Sequence, residues 1–302
     1  MTNELDRRDF LKIAGVGVVY ISGLSTVSPA QALQAHKAKD FCFVQLSDTH
    51  WGFEGAKINP DFKGTLTKAI KEVNALQVKP DFVVFTGDLT QTTDETSVRK
   101  KRMQEFKEIV AELSAPIVRY MPGEHDAALD KGETYKEFFG ETHYVFDHKG
   151  VHFIAIDNVS DPTGSIGEEQ LEWLKGDLSK LSPETNIVVF THRPLFDLYP
   201  QWDWSTKDGA KAIDLLMPFK NVSVFYGHVH LENHHMTEHI AHHSAKSLML
   251  PMPEPGSVPK RQPIPWDTAQ PYKGLGFRNV SARTRRSMYD LAEYPITENG
   301  II

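Results

Sequence analysis

The sequence is nearly without cysteine: Cys42 is the single thiol in 302 residues. That excludes an intrachain disulfide and any metal site built from thiolates. Long apolar runs are missing as well. The apolar stretch from Ile13 to Leu24 spans 12 residues, short of the roughly 20 that a membrane-spanning helix needs. Basic excess is also lacking, with 33 Lys and Arg against 40 Asp and Glu, a net charge of −7 and a pI near 6.1. A field of that sign disfavours general nucleic-acid binding. Hydrophobic residues at 40% and charged residues at 24% match an ordinary globular chain, not a disordered, coiled-coil, collagen-like or multi-span one. Histidine is abundant, at 14 residues. Imidazoles and carboxylates are therefore the groups available for metal or acid–base chemistry.

Residues 1–32 read as a targeting segment. Asp6-Arg7-Arg8-Asp9-Phe10-Leu11-Lys12 precedes the short apolar run, and Ser28-Pro29-Ala30-Gln31-Ala32 follows it with a small-residue cleavage pattern. Paired arginines before Phe-Leu-Lys resemble the twin-arginine export signal. That resemblance implies recognition by the twin-arginine machinery and a periplasmic or otherwise exported product. The mature chain, 33–302, is expected to form one domain.

From residue 41 strands and helices alternate. Phe41–Leu46, Asp81–Thr86 and Pro116–Met121 have the pattern of buried strands, as do Ile187–Thr191 and Val222–Tyr226. Tyr144–Phe146 and Val151–Asp157 form a hairpin pattern around Lys149-Gly150. Helical spacing runs through Thr65–Leu76, Val98–Leu113, Glu168–Leu181 and Gly209–Met217. This alternation predicts an α/β class with parallel strands, and the hairpin adds mixed character. Seven prolines fall between Pro251 and Pro271, so residues 251–276 read as a surface coil.

Five strand ends deliver chemistry: Ser47-Asp48-Thr49-His50, Thr86-Gly87-Asp88-Leu89, Pro122-Gly123-Glu124-His125-Asp126, Thr191-His192-Arg193 and Gly227-His228-Val229-His230. Ligand sites in open α/β sheets gather at the carboxyl ends of strands. Asp-x-His and His-x-His each put two side chains on one side of an extended backbone. His with carboxylate and no thiolate suits Zn, Mn, Fe or Co.

These motifs, in this order over residues 41–231, resemble the calcineurin-like metallophosphoesterase family, with Asp48-Thr49-His50 and Gly87-Asp88-Leu89 most like its cyclic-nucleotide phosphodiesterase type. The resemblance implies a four-layer αββα sandwich of two mixed β-sheets flanked by helices. It implies two metal ions (Fe, Mn or Zn), one held by Asp48, His50 and His230, the other by Glu124, His192 and His228, with Asp88 bridging. A metal-bridging hydroxide would attack a phosphomonoester or phosphodiester. His125 would protonate the leaving oxygen or bind a phosphate oxygen, Asp126 would orient the His125 imidazole, and Arg193 could reach a phosphate oxygen. Position 124 departs from the pattern, because the family has Asn there. Glutamate adds a negative charge that trivalent iron would offset. Gln91 stands where the purple-acid-phosphatase branch needs Tyr. The expected partner is a small-molecule phosphoester, with no nucleic acid and no stable membrane span. The other reading is a non-catalytic binding protein of the same fold with a weakened second metal site.

His234, His235, His239, His242 and His243 read as a solvated hairpin or a second zinc site. Lys260, Arg261, Trp266 and Tyr272 read as a lip over the metals or as anchors of the coil, and Arg283, Arg285 and Arg286 as a solvated face. Export makes the first prediction. Replacing Arg7 and Arg8 together with Lys is expected to retain the precursor in the cytoplasm on cell fractionation; normal periplasmic accumulation would refute the signal.

Overall fold

The computed structural model describes residues 40–282 and 289–298. The expected targeting segment and Arg283, Arg285 and Arg286 lie outside those residues. Among the described residues, eleven strands make two mixed sheets. The first runs β11 (Asp290–Pro295), β10 (Gly276–Ala282), β1 (Phe41–Leu46), β2 (Phe82–Thr86), β3 (Val118–Met121). The second runs β4 (Tyr144–His148), β5 (Val151–Ala155), β6 (Asn186–Phe190), β7 (Asn221–Tyr226), β9 (Ile240–Ser244), β8 (Asn233–Thr237). β1, β2 and β3 are parallel, as are β5, β6 and β7; the flanking strands β10 and β4 run antiparallel to their neighbours.

Strand alternation explains the layering. In β1, Phe41 and Phe43 point between the sheets while Val44 and Leu46 point outward. The middle layer is largely aromatic. Phe43 stacks on Phe82 at 5.0 Å and meets Phe153, Phe190 and Phe225 edge-on at 6.1, 5.6 and 5.5 Å. Helix α1 (Thr65–Ala75) covers the outer face of the first sheet with Leu66, Ala69, Ile70 and Val73, one stripe at helical spacing. Helix α2 (Thr96–Val110) adds Met103, Phe106 and Val110. Two short helices follow β3: α3 (Glu124–Ala127) and α4 (Glu133–Phe139). The second sheet is covered by α5 (Glu168–Leu178) and α6 (Gly209–Leu216). The result is the expected αββα order, with both sheets buried on both faces, which is why their central strands read as near-continuous apolar runs.

Two features depart from expectation. Helices α3 and α4 occupy a stretch with no clear period, and β10 and β11 extend the first sheet beyond β1. The His-rich stretch is the β8–β9 hairpin, and the coil at 251–275 contains no helix or strand. Phe43→Ala is expected to cost about 3–5 kcal/mol, read as a lower denaturation midpoint at constant slope, because it empties the ring-filled gap between the sheets.

Candidate metal centre

β1, β2 and β3 end at one edge of the first sheet, β6 and β7 at the matching edge of the second. The backbones after them are sewn together. Asp48 N–H donates to Gly87 O at 3.0 Å, His50 N–H to Asp88 O at 2.9 Å, and Gly227 N–H to His192 O at 3.0 Å. Gln45 crosses between the sheets, donating to Thr86 Oγ1 and Tyr226 O, both at 3.1 Å. The five loops thus converge although their residues span 183 positions of sequence, 48 to 230.

The convergence is crowded. Asp48, His50, Asp88, His228 and His230 hold φ between 42° and 66°, a region costly for residues with a Cβ. Gly87 has φ +95°, and a Cβ there would lie 2.2 Å from His192 Nδ1. Gly123 is needed for space instead: a Cβ would lie 2.1 Å from Asp88 Oδ1 and 2.2 Å from Asp88 N.

Two separate groups of ligand-type atoms result. Asp48, His50, Asp88 and His230 form one, Glu124, His192 and His228 the other, each with its atoms within 4.8 Å of one another, and a third group, Asp88, Glu124 and His125, overlaps both. His230 Nε2 is 3.2 Å from Asp48 Oδ1 and 3.2 Å from His50 Nε2. Asp88 Oδ2 lies between the groups, 3.5 Å from both His50 Nε2 and His192 Nε2. Glu124 reaches into the second group, Oε2 2.9 Å from His192 Nε2 and Oε1 2.9 Å from His228 Nδ1. Its carboxylate therefore lies between those two imidazoles.

The outer nitrogens are held so that the inner ones face the cluster. His192 Nδ1 donates to Thr86 O at 2.7 Å and His230 Nδ1 to Leu250 O at 2.8 Å. His50 Nδ1 donates to Gln91 Oε1 at 3.1 Å. Such partners fix tautomer and ring orientation. Gln91, noted in the sequence for what it is not, thus has a role. Ser47, Asn158 and Ser247, which the sequence motifs did not single out, hold the loops: Ser47 donates to Asp48, Asn158 Oδ1 accepts from His192 N–H at 3.3 Å, and Ser247 Oγ donates to Asp48 O at 2.9 Å.

Electrostatics fit cations. Burial and Glu124 would raise the Asp88 carboxyl, but His125, His192 and His50 hold it below the usual carboxylate range. Burial likewise works against ionised Glu124, and His228 and His192 pull it well below its ordinary value. Burial pushes His50 down to about 3, so its imidazole is neutral with a free lone pair. His192 Nε2 and His228 Nδ1 are buried and face the Glu124 oxygens at 2.9 Å without making a hydrogen bond, and His228 Nε2 has no hydrogen-bond partner. Buried polar atoms left open beside three carboxylates are what a pair of metal ions would satisfy. The cluster is able to bind two metals.

His125 and Asp126 do not pair. Asp126 accepts backbone N–H groups from Gly123 (2.9 Å), Leu89 (2.9 Å) and Thr90 (2.8 Å), plus the Thr90 hydroxyl at 2.9 Å. It clamps the loop after β3 to the loop after β2, and does not orient the imidazole. Burial and the nearby Asp88 push its carboxyl up to about 6, against the pull of those three N–H donors. His125 Nδ1 accepts instead from Thr92 N–H at 3.3 Å, which places its proton on Nε2. That nitrogen lies 4.0 Å from Asp88 Oδ2, at the open side of the cluster. Arg193 is braced: Nη2 donates to Asp203 O, while Nε stays buried and unpartnered.

The His-rich hairpin does not converge. His234 and His243 pair through Nδ1 atoms at 2.8 Å, His235 stacks on Phe196 at 3.9 Å, and His239 bonds Phe219 O at 2.7 Å. Among the described residues it forms no group of three ligands. Tyr272 is an anchor of the coil, donating to Asp61 Oδ2 at 2.9 Å, and Arg261 lies over the Trp204 ring at 5.9 Å.

A double-layered α/β sandwich with a bimetal-type cluster at its strand ends defines a class, and the comparisons agree. Residues 42–232 match the model of the calcineurin-like phosphoesterase family, and the chain belongs to that family. It is 33% identical over 162 residues to a protein named probable glycerophosphodiester phosphodiesterase from Arcobacter nitrofigilis, covering 50% of this chain and 56% of that one. It is 28% identical over 201 residues to a probable cyclic nucleotide phosphodiesterase from Rhodococcus erythropolis, covering 62% and 64%. The chain thus aligns with less than two thirds of either relative. A dimetal phosphatase from Danio rerio has the same fold, with a TM-score of 0.60 at 12% identity over 85% of this chain and 97% of that one.

Crowding at Gly123 sets the prediction here. Gly123→Ala is expected to displace Asp88 and lower bound metal several-fold by elemental analysis; full metal content in a folded variant would show that the close approach is dispensable.

Proposed function

We propose that this chain is a binuclear metal phosphoesterase, hydrolysing a phosphomonoester or phosphodiester, and that it acts after export by the twin-arginine route. The observation that carries the catalytic reading is the pair of ligand groups joined through Asp88, with a histidine N–H at their open side. Asp48, His50 and His230 would hold one ion, Glu124, His192 and His228 the other, and Asp88 both. Two such ions, when bound, supply hydroxide near neutral pH and offset charge on the phosphoryl oxygens. The protein's own groups do the rest. His50, His192 and His230 stay fixed by their outer hydrogen bonds, so the ligand set is organised in advance. His125 carries its proton on Nε2 and would pass it to the leaving oxygen. Arg193 Nε, unpartnered near His228, would donate to a phosphate oxygen.

The partial relatives support ester hydrolysis and divide on substrate, one name pointing to glycerophosphodiesters and the other to cyclic nucleotides. The position of Glu124 between His192 and His228 supports a complete second site over the weakened one of a non-catalytic binder.

The test is turnover by purified protein loaded with Mn, Zn or Fe on chromogenic mono- and diesters. Asp88→Ala is expected to lose metal and activity together. His125→Ala is expected to keep its metal and lose roughly 10²–10⁴-fold in turnover, less for a good leaving group. Loss of metal from the His125 variant would make it a ligand, and no turnover with any metal would end the hydrolase reading.

A further inference from the structure

Beside His230 lies a cavity of about 670 Å³. Its lining is mixed. His230, Leu231 and Leu275 are buried, Trp266 is half-buried beside the Glu232–Lys246 pair, and Glu254 and Lys273 are exposed at the rim. Most of the wall comes from the proline-rich coil, and that coil is tied down. Leu250 O holds His230, Ile264 N–H donates to Pro251 O at 2.9 Å, and Trp266 N–H donates to Lys57 O at 3.1 Å. The Trp266 indole meets the Tyr272 ring edge-on at 5.0 Å. Tyr272 is in turn fixed by Asp61, which also pairs with Lys68 at 2.8 Å. The indole is therefore positioned before any ligand arrives, which lowers the ordering cost of binding.

We propose that this cavity receives the alcohol-derived group of the phosphoester, and that this group carries a flat apolar ring against Trp266 with its polar end at the rim. The inference rests on the phosphoesterase reading for the place of the phosphoryl group. His230 belongs both to the metal cluster and to the cavity wall, so the cavity borders the place that reading gives the phosphoryl group. Size separates alcohols: a volume in the range of organic-ligand sites is far larger than a three-carbon alcohol fills. The indole separates ring from chain. Its fixed flat face suits a ring, and the Glu232–Lys246 pair at the same half-buried depth, 3.0 Å apart, suits a ring's polar substituents better than the methylenes of a long acyl chain.

Calorimetric titration of manganese-loaded protein with phenylphosphonate and methylphosphonate tests this without turnover. The phosphonate head is common to both, so the ratio of affinities reads the cavity alone. Phenylphosphonate is expected to bind about tenfold or more tightly. Trp266→Ala is expected to remove most of that preference and leave methylphosphonate unchanged, and Trp266→Phe to retain it. Ile264→Asp, at a wall position 43% exposed, is expected to lose the preference without loss of fold. Equal binding of the two probes by the unaltered protein, or equal weakening of both in Trp266→Ala, would overturn the proposal. Hydrolysis of bis(4-nitrophenyl) phosphate separates it from the reading beneath it. A phenyl preference in phosphonate binding with no turnover refutes the hydrolase and leaves the cavity; turnover with equal binding of the two phosphonates refutes the cavity and leaves the hydrolase.

Discussion

The Asp88 carboxylate is the point on which the two halves of the sandwich agree. One oxygen accepts the His125 N–H at 3.0 Å, fixing the start of α3. The other lies midway between His50, from the first sheet, and His192, from the second. Its backbone is held at φ 48°, and the turn that passes it can carry no Cβ. An anion buried this deeply is costly unless it is paired or binds a cation. The loops from both sheets therefore have to meet here, and the aromatic layer below sets the spacing at which they do.

Strain and support are arranged around that point. Five residues of the cluster hold positive φ, a cost of order 1–3 kcal/mol each. Three features hold them there: the hydrogen bonds between loops, the clamp formed by Asp126, and Ser247, which donates to Asp48 O and accepts from Met249 and Leu250 N–H at 2.9 and 3.1 Å. Leu250 in turn orients His230. The proline-rich coil thus begins at a residue that holds a cluster imidazole, which couples the cavity wall to the centre it borders.

Most of this was legible in the sequence because buried parallel strands are apolar throughout and their ends are punctuated by Gly, Asp and His. What was not legible has physical causes. β10 carries Arg278, fully buried and paired with Glu293 on β11, so neither strand shows an apolar alternation. The outer partners Gln91, Asn158 and Ser247 are single polar residues in loops, with no spacing to mark them. His125 and Asp126 are adjacent in sequence, which suggested a pair, but α3 turns them apart: consecutive residues on a helix do not face each other. The motif identified the residues, and the helix decided which of them interact.

Glu124 is where this chain parts from the pattern of its family, and geometry turns that substitution into a statement about charge. Its two oxygens lie 2.9 Å from His192 and from His228, so it presents a full carboxylate where the family has a neutral amide. In the proposed assignment the ligand carboxylates Asp48, Asp88 and Glu124 contribute three negative charges, against two with asparagine. With hydroxide, two divalent ions would then give a neutral centre, which attracts a phosphate anion less and acidifies water less than a positive one. A trivalent ion in one of the two positions would restore the positive charge and would favour the added oxygen ligand. Arg193 acts in the same direction: burial first and then the Arg193 guanidinium disfavour protonation of His228, and that guanidinium adds a cation beside the half of the cluster that holds Glu124.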